Sequence, residues 1–329
     1  MPPDPTPAAQ GRPGAHIAGA RPTRPRPKGG SRADGLFFGV VLGLSCLVLV
    51  VAGLYFWQLA AGGWLAFQHE GLGFMFGTDW NSNPGAERYG AWPFIVGTFV
   101  TSIGALVIAV PLAIASALFV TEYAPPWLAG PVGSLVELLA AIPSVVYGLW
   151  GIFVLVPAVR TAEVWFIGVT GAPWPPIGVG LPSAVLVLAV MVIPFIAAIS
   201  RDVIRLVPSD QREAAYALGA TKWEVIRTAI IPYARAGILG GVILGLGRAI
   251  GETLAVTMVI GNTNQLPSTP FSPSATMASI IAANFNEAQT PLFVSSLIAV
   301  GLLLFVFSVI VNFTARIIIA RLTPEGTRL

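Results

Sequence analysis

The sequence predicts an all-α polytopic membrane protein with six transmembrane helices. Only 10% of its 329 residues are charged and 55% are hydrophobic, whereas an ordinary soluble domain carries roughly 25% charged residues. The charges also crowd into two stretches, 1–35 and 200–235, leaving long uncharged runs elsewhere. Six such runs have about the length, near 20 residues, that a helix needs to cross a hydrocarbon core about 30 Å thick.

Residues 1–35 hold eight prolines, six Arg or Lys and almost no large apolar side chains. Such a segment cannot bury enough surface to offset the entropy of ordering, so it reads as a disordered, basic, Pro-rich tail. The apolar run that follows, Gly35 to Ala61, exceeds the 7 to 15 residues of a signal-peptide core, which makes it a retained first span. The spans are expected at 36–61, 94–120, 132–157, 182–199, 236–260 and 291–317, within a single permeation domain over 36–329. Pro111, Pro143 and Pro194 fall inside them, and kinks are expected there, since neighbouring helices can satisfy the carbonyls a proline frees.

Orientation follows from Lys and Arg, which resist translocation. With the N-terminus inside, fifteen basic residues lie in the tail, in 200–235 and at the C-terminal end, while the outer connections 62–93, 158–181 and 261–290 hold only Arg88 and Arg160. Both termini are therefore expected in the cytoplasm. The net charge of +3 reflects those inner loops rather than nucleic acid. Trp64, Trp80, Trp92, Trp165 and Trp174 in the outer connections read as interfacial anchors. The lone Cys46 excludes an intramolecular disulfide and a Cys-rich metal or iron–sulfur site. His16 in the tail and His69 in an outer loop leave no buried histidine triad or histidine metal site, so no metal is expected.

The loop 200–235 is the most informative stretch. Asp210 with Glu213, and Thr221 with Glu224, have capping-box spacing, and Gly219 lies between them where a helix end favours positive φ. A short helix, a glycine turn and a second helix are expected. Ala214, Ala215 and Ala217 beside Tyr216 and Leu218 form a low-relief knob that another protein can enclose; a helix lying on the membrane surface is the plainer alternative.

In the fifth span, Arg248 lies near the middle and Glu252 one turn onward on the same face. An arginine at the centre of a span costs roughly 2.5 to 3.5 kcal/mol on insertion scales and marks a pathway or a pair. Two readings stay open. One is an internal ion pair packed by the small-residue series Gly237, Gly241 and Gly245. The other is an anion path in which the guanidinium fork of Arg248 meets an oxyanion while Glu252 orients or screens it. Glu137, near the inner end of the third span, together with Ser144 and Thr253, completes the candidate path. Without further information, an ATP-independent secondary anion transporter or channel is a competing class.

Glu213-Ala214-Ala215, Gly219 and Pro232 resemble the EAA motif of permease subunits in ABC importers. The segments Pro93–Thr98, Ala109–Leu112, Thr121–Pro125, Ala141–Gly148 and Gly247–Thr253 resemble the PstC-type permease of phosphate importers, although the Arg248 to Glu252 pattern also occurs in sulfate and molybdate permeases. The resemblance implies a type I ABC importer permease fold in a bacterial inner membrane. It also implies a PstA-like permease partner, two ATPase subunits gripping Arg212, Glu213, Ala214, Ala215, Tyr216 and Gly219, and an extracytoplasmic phosphate-binding protein. ATP and Mg would belong to those ATPases. This chain has only Lys28 and Lys222, neither followed by Ser or Thr, so it has no P-loop.

Overall fold

Prolines punctuate the helices. In the computed structural model, which describes residues 32–322, the chain is helical almost throughout. By internal contacts it divides into residues 1–53 and 54–329. Of the first unit, the described part is the beginning of α1 (Arg32–Glu70), which takes in the last four residues of the expected tail. The rest of that tail, residues 1–31, lies outside the described residues.

The second unit takes up α1 at Leu54. Here Gly62 and Gly63 let α1 approach the last helix so closely that a Cβ on Gly63 would meet the Ala299 backbone at 2.9 Å. The Ser295 hydroxyl donates to the Gly62 carbonyl (2.7 Å) and accepts from the Ala66 N–H (3.1 Å). After α1 comes α2 (Gly73–Phe76), then a two-stranded antiparallel hairpin, β1 (Trp80–Asn81) with β2 (Arg88–Tyr89), in register Trp80 to Tyr89. Trp80 corrects the interfacial reading. It is buried edge-on against Tyr89 and Phe94, each ring centroid 4.9 Å away. Trp64 and Trp165 remain exposed, as expected of anchors.

Helix α3 (Trp92–Leu118) runs through Pro111 and ends in a widened π turn, Phe119–Tyr123. Next come α4 (Pro126–Ala141), α5 (Ser144–Trp150), a π turn at Gly151–Leu155, and α6 (Val156–Thr170), which Gly171 closes at φ 66°. The third span is therefore displaced from expectation: it covers Ser144–Thr170, not 132–157. Pro143 excludes its predecessor from the α region, and Ile142 is extended at ψ 130°. Hydropathy alone does not register that break. The 16 residues of α4 make a helix of roughly 24 Å, short of a crossing.

Helix α7 (Leu181–Arg205) passes through Pro194 unbroken and is the most buried span. Short α8 (Ser209–Ala217) and α9 (Lys222–Val225) follow, then a π turn at Ile226–Ile230 and α10 (Ile231–Ile250). Two of the three π turns run straight into a helix whose second residue is proline, Pro157 or Pro232. The ring cannot donate an N–H and clashes with the carbonyl four residues back, which favours the wider turn there. The glycine series packs as expected: a Cβ on Gly241 would lie 3.0 Å from Ile199, and one on Gly245 2.8 Å from Ile196, both on α7. Short α11 (Leu254–Val259) and α12 (Met277–Asn284) lead to α13 (Pro291–Leu322). Among the described residues, six helices are long and apolar enough to cross a membrane.

Candidate translocation path and coupling surface

The apolar stretch 236–260 is not one helix. Helix α10 stops at Ile250, the regular helix lapses over residues 251–253, and α11 restarts at Leu254. Arg248 thus occupies the last turn of α10, where a cation suits the negative end of the helix dipole, rather than the middle of a span. Glu252 lies beyond the end of that helix, in the break. A Glu252 carboxylate oxygen accepts the Ala255 N–H at 3.2 Å and so caps the first turn of α11. Among the described residues no ion pair joins Arg248 to Glu252: α10 ends at Ile250, and the Glu252 carboxylate turns to the Ala255 N–H instead. Arg248 is exposed, with the Phe195 ring 6.0 Å from its guanidinium carbon. Thr253 is half-buried, and its carbonyl accepts from the Thr257 hydroxyl at 2.6 Å. Broken helices occur in membranes where irregular backbone lines a cavity or is covered by protein.

The segment Ala141–Gly148 meets the helix that follows Gly247–Thr253. Gly148 of α5 lies against Ala255 and Met258 of α11, so closely that a Cβ would come 3.1 Å from the Ala255 Cα. Tyr147 is buried and donates to the Leu139 carbonyl at 2.8 Å, tying α5 back across the Pro143 break to α4. Ser144 opens α5, half-buried beside that break.

Glu137 is placed differently from expectation. It lies on α4 rather than in the third span, and its carboxylate takes a 2.6 Å ion pair from Arg201 of α7. Arg201 also contacts Asp202 at 3.1 Å, and reaches Glu137 across Gly133, where a Cβ would lie 2.8 Å from its Nη1.

The loop 200–235 folds as two short helices. Helix α8 begins at Ser209, after extended Pro208, so Asp210 lies in its first turn without capping it and the expected Asp210 to Glu213 box is not formed. The second box is present: the Thr221 hydroxyl accepts the Glu224 N–H, and the Glu224 carboxylate accepts the Thr221 N–H at 2.7 Å. Gly219 stands at φ 83°, with Gly219 N–H donating to Tyr216 (2.9 Å) and Ala220 N–H to Ala215 (3.2 Å), the two bonds of a Schellman turn. Glu213, Ala214, Tyr216 and Gly219 are exposed, and Ala215 is half-buried. Leu218 is 91% exposed and Trp223 59%, an apolar surface beside them.

Arg212 faces inward. It donates to the Glu122 carboxylate at the end of α3 (2.9 Å) and to the Ile204 carbonyl of α7 (2.9 Å). Lys222 donates to the Glu122 carbonyl and lies over the Tyr123 ring, 4.7 Å from its centroid. Neither Glu122 nor Arg201 stood out in the sequence as a partner. The only available signal was a lone carboxylate in Thr121-Glu122-Tyr123, just before a proline pair.

Residues 109–324 match the family described as binding-protein-dependent transport system inner membrane component. Among similar proteins is a phosphate transport system permease protein PstC of Pasteurella multocida, 47% identical, the match covering 82% of this chain and 87% of that protein. The protein of the same name from Mesorhizobium japonicum is 44% identical over 88% of this chain and 90% of its own length. Among solved structures, a bacterial ABC transporter that imports the acidic polysaccharide alginate superposes with TM-score 0.60 at 19% identity, over 89% of this chain and 98% of that one. The MetNI methionine ABC transporter does so with TM-score 0.52 at 22% identity, over 71% and 95%. At such identities the structures establish the fold alone.

Proposed function

The chain belongs to the family of binding-protein-dependent transport system inner membrane components, and from that membership we propose that it is a permease subunit of an ATP-driven inorganic phosphate importer. One observation carries the path: Arg248 is an exposed arginine with no ion pair among the described residues, at the end of a helix where the apolar bundle is broken. Left against lipid it would be costly, so a second subunit must face it and enclose a polar route between them. A PstA-like permease is the partner this reading requires. The guanidinium offers two parallel donors to a tetrahedral oxyanion. Glu252 uses one carboxylate oxygen to cap α11 and keeps the other for substrate. Ser144 and Thr253 lie at the two flanking breaks.

ATP hydrolysis, with its Mg, belongs to two separate ATPase subunits. They grip the exposed face of α8, through Glu213, Ala214, Tyr216 and Gly219, on the cytoplasmic side. Both termini lie on that side, and a phosphate-binding protein delivers substrate to the other. The test is reconstitution of the complex in proteoliposomes with its ATPase and binding protein. ATP-dependent uptake of phosphate, and not of sulfate or molybdate, is expected; uptake of sulfate or molybdate alone reassigns the substrate, and uptake without the ATPase overturns the class. Labelling a cysteine at Tyr216 from outside intact cells, in a Cys46→Ser background, would overturn the orientation.

A further inference from the structure

Glu122 is where both short helices hold the same residue of α3. From α8, Arg212 grips its carboxylate at 2.9 Å; from α9, Lys222 takes its backbone carbonyl. The carboxylate side chain is only 9% exposed, and Arg212 is its only ionic partner among the described residues. Arg212 also fastens the end of α7 through the Ile204 carbonyl, so three elements share one guanidinium. Beneath it, Ala117 of α3, Ile204 and Val207 pack with Val225, Ile226 and Ile230 in one apolar cluster. The polar clamp gives this greasy contact a direction, because charge-assisted bonds fix geometry that apolar packing lets slide.

Helix α3 runs from this clamp back to its own N-terminal half. There Thr98 accepts the Met277 N–H at 2.9 Å, and Gly97 abuts the Ala275 carbonyl. The adjoining Ser274 N–H donates to the Ile260 carbonyl at the end of α11 (3.0 Å). A displacement of α3 therefore reaches the segment that follows the Arg248 break.

We infer that Glu122 is a positioning residue of the transport cycle: it converts movement of α8 and α9 into movement of α3. This rests on the functional reading above, in which a separate ATPase drives α8. The clamp acts as one unit because the carboxylate and the carbonyl of a single residue are held from two helices. Tilting either helix pulls the π turn Phe119–Tyr123 and α3 with it. Substrate never needs to touch Glu122.

The experiment uses the full complex with its ATPase, in nanodiscs, carrying a fluorescent label on Val107→Cys, on the exposed side of α3, in a Cys46→Ser background. In the unaltered clamp, ATP changes the label signal. In Glu122→Ala the ATPase is expected to co-purify and hydrolyse ATP, while the signal change per assembled complex falls about tenfold, within the range of allosteric coupling, and phosphate moved per ATP falls with it. The reversed pair Glu122→Arg with Arg212→Glu should recover part of both. A merely structural role would lower the yield of complex but leave the signal per complex intact, so a full label response in Glu122→Ala overturns the inference. Should Glu122→Ala fail to assemble, Lys222→Met removes the carbonyl grip and spares the carboxylate pair; an unchanged response there overturns the inference equally. A normal label response without phosphate uptake in the unaltered complex would instead overturn the substrate reading while leaving the clamp standing.

Discussion

The α8–α9 end and the α10–α11 break are treated oppositely by the same chain. At the first, charged groups are tied: Arg212 and Lys222 converge on Glu122, Thr221 and Glu224 cap each other, and Gly219 closes a Schellman turn. At the second, Arg248 has no ion pair and Glu252 spends one oxygen on a helix start. Groups that transmit force must hold their geometry through the cycle, whereas groups that meet a passing ion must be released to meet it, which favours weak and transient contacts. On the function proposed here, local density of polar bonds would separate the mechanical end from the chemical one.

The sharpest test of that contrast is Arg248→Gln. Loss of a charge-assisted contact worth roughly 3 kcal/mol should cut uptake about a hundredfold. Stability should shift by less than about 0.5 kcal/mol, because no ion pair is broken. Uptake assays beside thermal unfolding of the purified complex read both; a large loss of stability would show that Arg248 is structural. Gly219→Val comes next. At φ 83° a β-branched residue costs about 1 to 2 kcal/mol. The chain should still insert, yet bind its ATPase poorly, as co-purification would show. Normal binding and full uptake would remove α8 from the coupling role.

Thr221→Ala removes one half of the capping box and should cost about 1 kcal/mol, seen as faster hydrogen exchange over α9 with transport largely kept. Unchanged exchange would mean that the tied end does not depend on its caps. The smallest effect is expected of Glu252→Gln. Phosphate near neutral pH carries a proton that a carboxylate can accept in a hydrogen bond, whereas sulfate carries none. The phosphate-to-sulfate flux ratio should narrow about threefold, a change of roughly 0.6 kcal/mol. The measurement belongs in permease variants that work without the binding protein, which otherwise selects upstream. An unaltered ratio would leave Glu252 as a cap alone.

Much of the architecture was legible because apolar length and charge placement are set by the bilayer, and four of six spans overlap their expected ranges closely, while the third and the fifth are each displaced by ten or more residues at both ends. The third was not, since Ile142 and Pro143 continue the apolar run while breaking the backbone. The same blindness hid the interruption at Gly251–Thr253, so an i to i+4 pair was expected where two helices meet. Thr221, Glu224 and Gly219 were readable because caps and positive φ depend on neighbours in sequence. Glu122 with Arg212, and Glu137 with Arg201, are 90 and 64 residues apart. Only the return of α8 to the end of α3, and the packing of α4 against α7, bring them together.

The π turn at Ile226–Ile230 has a consequence for aim. Each such turn carries one more residue than an α turn, and one residue rotates everything beyond it by about 100° around the helix axis. The azimuth of Arg248, on the helix that follows, is therefore set eighteen residues upstream of it. Removing Ala229 would restore ordinary winding and leave every side chain of α10 chemically intact, yet turn the arginine away from the gap beside Phe195 and the glycines away from α7. A helical wheel drawn straight through Pro232 misplaces both faces for the same reason.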